Sequence, residues 1–457
     1  MIRPNLVGLK GDNISLVNFV RSTAGQYYAD LVPIAKEDGT NLKEIGIIIN
    51  NNPVLQNAFI NTLVNRVGLV LIKSKSFMNS WRKFKKGILE YGETIEEIFV
   101  DICKPFNYDV DIAEQKVFAK ENPDVQTNFL LVNYETFYKQ TTRDYELEKA
   151  FLSSDGVKNL VYKIIDAMYK SMEFDEYLVM KYVLVKQIIE GNIKTVEIPA
   201  ITSANMKAIA SKIKGMSDKF EFLKRDYNVA KVANDCKKDM QHLIVSPDFN
   251  ALMDVEVLAY AFNMAKADVE AHKTLIDSFS EFTNEEVERL KVLCNNANVE
   301  FDSTVIAELE KIGAVLMSED FIQVWDKLIK FKEIENGEGL YWNHWLHNWK
   351  VVGVSSFENV VAFVVGAPSV TSVTITPSAF DLLRGQSTQL SVEVETTLFA
   401  PQDVVWSVPE DSGVTINQLG KVKVDSDAEA GNVTITATSV FDSSVTGTAT
   451  LTIVVPE

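Results

Sequence analysis

Histidine and cysteine are scarce in this chain: four His and three Cys in 457 residues. Cys103, Cys236 and Cys294 lie far apart and are odd in number, so they form no disulfide framework, and no Cys-x-x-Cys pair exists to build a zinc ribbon. Of the histidines only His344 and His347 are close, among Trp342, Trp345 and Trp349, and no third ligand stands beside them. An aromatic packing layer accounts for that cluster better than a metal. A Gly-x-x-x-x-Gly-Lys-Ser/Thr loop, a Gly-x-Gly-x-x-Gly turn after a strand and a Gly-x-Ser-x-Gly elbow are all missing. Glu96, Glu97 and Asp101 cluster, but acids at such spacings form solvated faces in any acidic chain of this size. No catalytic, cofactor or metal residue is therefore assigned.

Long apolar runs are missing too. None approaches the ~18 residues needed to span a bilayer. The opening Met1-Ile-Arg-Pro-Asn-Leu6 lacks the apolar core of a secretory signal, which points to folding in a cytoplasm. Positive charge is in short supply, with 45 Lys and Arg against 63 Asp and Glu, a net −18. That balance excludes a protein whose surface coats nucleic acid.

What is present divides at Gly366-Ala-Pro368. Beyond it stand three bases (Arg384, Lys421, Lys423) and eleven acids, a net −8 that leaves −10 for the preceding part. Apolar residues there alternate with period two, as in Leu390, Val392 and Val394 or Val433, Ile435 and Ala437, with turn signals at Arg384-Gly385 and Leu419-Gly420. This pattern predicts a small antiparallel sandwich with Trp406 as its core anchor. From Ser372-Val-Thr-Ile-Thr-Pro377 to Gly431-Asn-Val-Thr-Ile-Thr-Ala437 the segment resembles the bacterial immunoglobulin-like group 2 module. An acidic unit with its own core is expected to fold independently and to be displayed outward, so a chain truncated after Val365 is expected still to assemble.

The first 365 or so residues mix helix and strand periods. Val157, Leu160, Val161, Ile164, Ile165, Met168 and Met172 follow helical spacing, and a second helical stretch over Asp175–Glu190 stops at Gly191-Asn192. Further helices are predicted over Lys207–Leu223, Asn284–Cys294 and Val305–Ile312. Strands are predicted at Thr195–Ile198, Leu243–Val245, Ala314–Met317, Phe321–Trp325 and Val360–Val365. Residues 1–50 read as an extended arm that cannot bury itself.

Charge is split between Lys73 and Asp101. Lys73, Lys75, Arg82, Lys83, Lys85 and Lys86 come with no acid among them, then Glu90, Glu93, Glu96, Glu97 and Asp101 follow with no base. Gly87 and Gly92 punctuate the switch. A hairpin whose strands pair their own charges and an arm that complements a neighbouring subunit both explain the pattern, and charge alone leaves the two open.

Several motifs then recur in one order: Phe84-Lys-Lys-Gly87, Thr94-Ile-Glu-Glu-Ile98, Glu114-Gln-Lys-Val-Phe118, His242-Leu-Ile244, Asp254-Val-x-Val-Leu-Ala259, Ala261-Phe-Asn-Met264, Gly339-Leu-Tyr-Trp-Asn343 and Val361-Ala-Phe-Val364. From about Ile48 onward their order and spacing resemble the major capsid proteins of small short-tailed, Picovirinae-type phages. The resemblance implies an α+β tailed-phage capsid fold: an N-terminal arm (1–50), a shell domain (51–366) and a C-terminal all-β immunoglobulin-like sandwich (367–457). Within the shell it implies an extended loop at about 73–105, a spine helix at about 151–172 and an axial domain at about 201–332. Gly339–Val365 would then return to the peripheral sheet.

It further implies a head-shell protein of the virion, icosahedral or prolate, assembled in the host cytoplasm without cofactor or membrane. Its partners would be itself, as hexameric and pentameric capsomers, a separate scaffolding protein and the portal, around enclosed double-stranded DNA that is not read by sequence. The intersubunit contacts implied by the charge split are Lys83, Lys85, Lys86, Glu93, Glu96 and Glu97. A tail-tube or tail-sheath protein and a nanocompartment shell protein are the competing readings.

Overall fold

In the computed structural model, residues 13–59, 62, 79–90, 92, 94–106, 120–143, 156–253 and 272–454 are described, with the side chains of 13 and 156–164 excepted. Glu93, residues 73–78, Glu114–Phe118 and Asp254–Met264 lie outside them.

From Asn13 onward the N-terminal segment is not an extended arm, residues 1–12 of that expectation lying outside the described residues. Asn13–Thr23 (α1), Gln26–Leu31 (α2) and Leu42–Asn50 (α3) are helices. Val17, Val20, Tyr28, Ile45 and Ile49 bury themselves against Ile165, Met168, Met172, Trp342 and Leu346. Short helices hide their period in sequence, and here the covering surface comes from residues more than a hundred positions away.

The two predicted helical stretches are one helix, Gly156–Ile189 (α4), of 34 residues, about 50 Å long at 1.5 Å per residue. Its apolar period breaks at Asp175 and Glu176, which are nevertheless buried. Charges inside a helix interior read as a solvated break unless their partners are known, and those partners lie far away in sequence. The stop is as expected: Gly191 takes φ +69°, its N–H reaches Ile188 O at 3.0 Å, and Asn192 N–H reaches Gln187 O at 3.1 Å. These bonds form a Schellman cap, whose left-handed residue favours glycine.

Two sheets flank α4. Lys85–Ile88 (β1) follows Trp81 and pairs parallel with Ile322–Asn336 (β9); β9 pairs antiparallel with Tyr341–Val354 (β10), which pairs with Tyr134–Arg143 (β4). The second sheet runs in the order Lys194–Ile198 (β5), Val360–Val365 (β11), Ile312–Ser318 (β8), Gln241–Val245 (β6) and Lys273–Leu275 (β7). The expected return of Gly339–Val365 to one sheet thus holds only for β10. The strand β11 belongs to the second sheet, with β5 and β8.

Strands β6, β8 and β11 are buried on both faces, which explains the apolar runs Leu243–Val245, Ala314–Met317 and Val360–Val365 within them. Period two divides their side chains between two cores. Ile244, Val315, Met317 and Ala362 join Leu184, Val185 and Ile188 of α4. Leu243, Val245, Leu316 and Phe363 face Ile209, Ile213 and Phe220 of helix Met206–Phe220 (α5).

A shorter helix, Asn284–Leu293 (α6), braces α4. Its start is a capping box: Glu286 N–H donates to Thr283 Oγ1 at 3.3 Å, and Thr283 N–H donates to Glu286 Oε2 at 2.8 Å. The box sets the helix so that Arg289 Nε meets Asp175 Oδ1 at 2.7 Å. Thr283→Ala is expected to lower stability by about 1 kcal/mol. Urea unfolding of the unassembled subunit checks this, and an unmoved midpoint would contradict it.

Beyond Gly366 the expected sandwich is present, with one departure from the antiparallel pattern: Ala379–Leu383 pairs parallel with Thr446–Val454. Ser369–Thr376 (β12) pairs with Ser391–Thr397 (β15). Ala379–Leu383 (β13), Thr446–Val454 (β20), Gly431–Ser439 (β19) and Val404–Ser407 (β16) form a second group in that order. Trp406 packs with Ile435, Ala437, Val422 and Leu451 in a core of the module's own.

Candidate assembly surface

The acidic stretch Thr94–Val100 (β2) is a strand, but its partner is not the basic stretch. It pairs antiparallel with Val125–Leu131 (β3), from Thr94↔Leu131 to Val100↔Val125. The two charge blocks are therefore not the two limbs of one hairpin. Only one edge of the ribbon's chemistry, the acidic one, belongs to the charge split.

The basic residues serve their own subunit. Lys85 Nζ lies 3.0 Å from Glu176 Oε2 and 2.7 Å from Asp326 Oδ2. Lys350, fully buried, pairs with the same two carboxylates, and Asn79 Nδ2 donates to Glu176 Oε1 at 3.1 Å. Burial opposes ionisation of Glu176 and Asp326, yet Lys350 and Lys85 together outweigh it and hold both carboxyls below the ordinary range. Lys86 pairs with Asp320 and donates to Glu319 O at 3.0 Å. Lys83 is exposed, with its ammonium 5.7 Å from the Phe84 ring centre.

Of the acids, Glu97 is half-buried and accepts from Asn128 Nδ2 at 2.8 Å. Glu96 is exposed. Alternation explains the difference. One ribbon face, with Phe99, Glu97 and Leu130, turns inward: Phe99 stacks on Phe357 at 5.5 Å, and Leu130 covers Gly353, where an added Cβ would stand 2.8 Å from Leu130 Cδ2. The other carries Glu96 beside Ile98, Val100, Val125, Phe129 and Leu131, each of the five about half exposed or more (48–60%). Contiguous exposed apolar strips of this kind are characteristic of interaction surfaces.

The first sheet has a second such face. Phe331, Leu346 and Trp342 point toward α4 and the N-terminal helices. On the opposite face, register places Lys332, Trp345 and Lys139 in one row, Lys330, His347 and Phe137 in the next, with Tyr341 beside Arg143. Lys139 Nζ lies 5.7 Å from the Trp345 ring. The face is basic and aromatic, with Glu135 at one end opposite Trp349.

His344 and His347 fall on opposite faces of β10 because a separation of three on a strand reverses direction. His344 is buried, 3.5 Å from Glu333 and stacked with Phe331, whereas His347 tilts against Phe137 on the outer face. The aromatic layer is thus two layers.

The model of the Phi29-like phage major capsid protein family matches residues 17–364, and that of the bacterial Ig-like domain (group 2) matches 369–452. The major capsid protein of Bacillus phage B103 is 36% identical over 437 residues, covering 93% of this chain and 90% of the relative. That of Bacillus phage PZA is 36% identical over 433 residues, again covering 93% and 90%. The chain belongs to the Phi29-like phage major capsid protein family.

It is accordingly a structural protein of the phage head shell. The capsid structure of Staphylococcus phage Andhra is a more distant likeness, at 14% identity and a TM-score of 0.49, covering 64% of this chain and 86% of that one. No helix among the described residues is long and apolar enough to cross a membrane.

Two functional groupings of this capsid subunit escape reading from sequence. The ionic centre of Glu176, Asp326, Lys85 and Lys350 draws on four elements, β1, α4, β9 and β10. The basic sheet face is scattered over β4, β9 and β10, although Lys330 and Lys332, spaced by two in a strand, are a legible hint of one charged face.

Proposed function

We propose that the subunit forms hexameric and pentameric capsomers of a closed head shell around double-stranded DNA, and that neighbours join by laying the β2–β3 ribbon of one on the four-stranded sheet of the next. The role is structural and not catalytic, with a separate scaffolding protein and the portal as partners during assembly. The single observation that carries the contact is complementarity: an apolar strip bearing Glu96 on one surface, an aromatic face bearing Lys139, Lys330 and Lys332 on the other. A head-to-tail contact between unlike patches can repeat around a ring and close it. Lys85 and Lys86 are committed inside their own subunit, so the contact rests on Glu96 rather than on the basic stretch.

The test is a charge exchange, scored by sedimentation and negative-stain microscopy of particles formed with the scaffolding partner. Each exposed pair is worth only ~0.2–1 kcal/mol, but every subunit repeats it. Lys330→Glu with Lys332→Glu is expected to suppress shells, and adding Glu96→Lys to restore them in part. Normal shells from the doubly reversed sheet would overturn the docking while leaving the capsid role intact.

A further inference from the structure

The immunoglobulin-like module is not merely tethered at Gly366-Ala-Pro368. Between β15 and β16 its chain runs Leu398-Phe399-Ala400, and these three neighbours are all buried. Ala400 lies in the core of the module, with Trp406 and Ile435. Phe399 lies in the core of the shell domain, with Leu184, Val185, Ile188 and Ile193. One peptide bond therefore joins two hydrophobic cores.

The backbone is bent to do this. Leu398 and Phe399 take φ +53° and +55°, a left-handed conformation unfavourable for bulky side chains. Such strain persists only where surrounding structure imposes it, and burial of Phe399 is what offsets it here. Polar contacts frame the insertion. Thr195 Oγ1 donates to Phe399 O at 3.4 Å, and Lys231 Nζ pairs with Asp403 at 3.0 Å. Gly191, the cap of α4, lies so close that an added Cβ would stand 3.2 Å from Ala400 O. At the junction, Gly366 N–H reaches Ile198 O at 3.4 Å.

We propose that Leu398–Ala400 is a plug by which the module completes the core of the shell domain, fixing the module's orientation at the C-terminal end of α4 and β5. The binding surface is the pocket at the end of α4, and its ligand is a phenyl ring supplied by the same chain. On this reading the module is an element of shell stability, and truncation after Val365 removes part of the shell's own core.

The test uses the full chain, unassembled, with hydrogen exchange followed by mass spectrometry. Phe399→Ala is expected to lower protection of Val185–Ile198 by about tenfold or more, since deleting a buried ring leaves a cavity. Strand β19, held by the module's own core, is expected to keep its protection. If the alanine variant does not accumulate, Phe399→Leu serves, with a smaller loss in the same segment. Unchanged protection of Val185–Ile198 in the variant that folds would overturn the plug, and so would an equal loss in β19.

Discussion

Replacing Glu176 by Ala is expected to destabilise the subunit by about 3–5 kcal/mol, the range found when one member of a buried ion pair is removed. Glu176 holds both Lys85 and Lys350, and Lys350 has no exposed surface. Without Glu176 the two ammonium groups are left with Asp326 between them. Urea unfolding of the unassembled subunit, followed by far-ultraviolet circular dichroism, measures the effect. A shift worth less than about 1 kcal/mol would mean that water enters the centre and solvates the charges left behind. Acid provides a second reading of the same group. The carboxyls of Glu176 and Asp326 have folded pKa values below their unfolded ones, so their contribution is complete above the unfolded value, about 4. It is lost as pH falls from there through the folded value. Glu176→Gln is therefore expected to flatten the acid side of the stability curve as well as lower its plateau. An acid limb as steep as that of the unsubstituted chain would assign the pH dependence to other carboxylates.

Phe129→Ser is expected to leave the isolated subunit folded and to prevent shell formation at ordinary concentrations. Phe129 is 56% exposed at the centre of the ribbon's outer face, opposite Glu96, so its loss leaves no cavity within the subunit. Covered by a neighbour, a phenyl ring contributes about 2 kcal/mol. That figure raises the concentration needed for a single contact roughly thirtyfold, and a closed shell makes the contact at every subunit. Light scattering against protein concentration gives the threshold, and circular dichroism verifies the fold. A variant that assembles at the original threshold would show that the ribbon's outer face stays in solvent within the shell.

The elements that the sequence determined by itself are those whose burial follows from local period. The module boundary at Gly366-Ala-Pro368, its alternating strands with Trp406, strand Val360–Val365 and the stop of α4 at Gly191 all follow from spacing and turn chemistry read over a few residues. The ordered motifs from Phe84 to Val364 carried the family. Only the tertiary structure decided what depends on distant partners. Asp175 and Glu176 interrupt a helical pattern until Arg289 and Lys350, 114 and 174 residues away, are seen to neutralise them. The basic stretch reads as a surface for a neighbour because Asp320 and Asp326, which it pairs with, lie more than 230 residues away in sequence. Likewise Thr94–Val100 found its partner strand at Val125–Leu131 rather than in the residues before it. Phe399 gave no signal at all: a lone aromatic between two strands of a sandwich reads as module core, and its membership of the other core is set by how the two bodies pack. Period and composition report which side chains avoid water; charge pairing and choice of core are settled only when segments far apart in the chain meet.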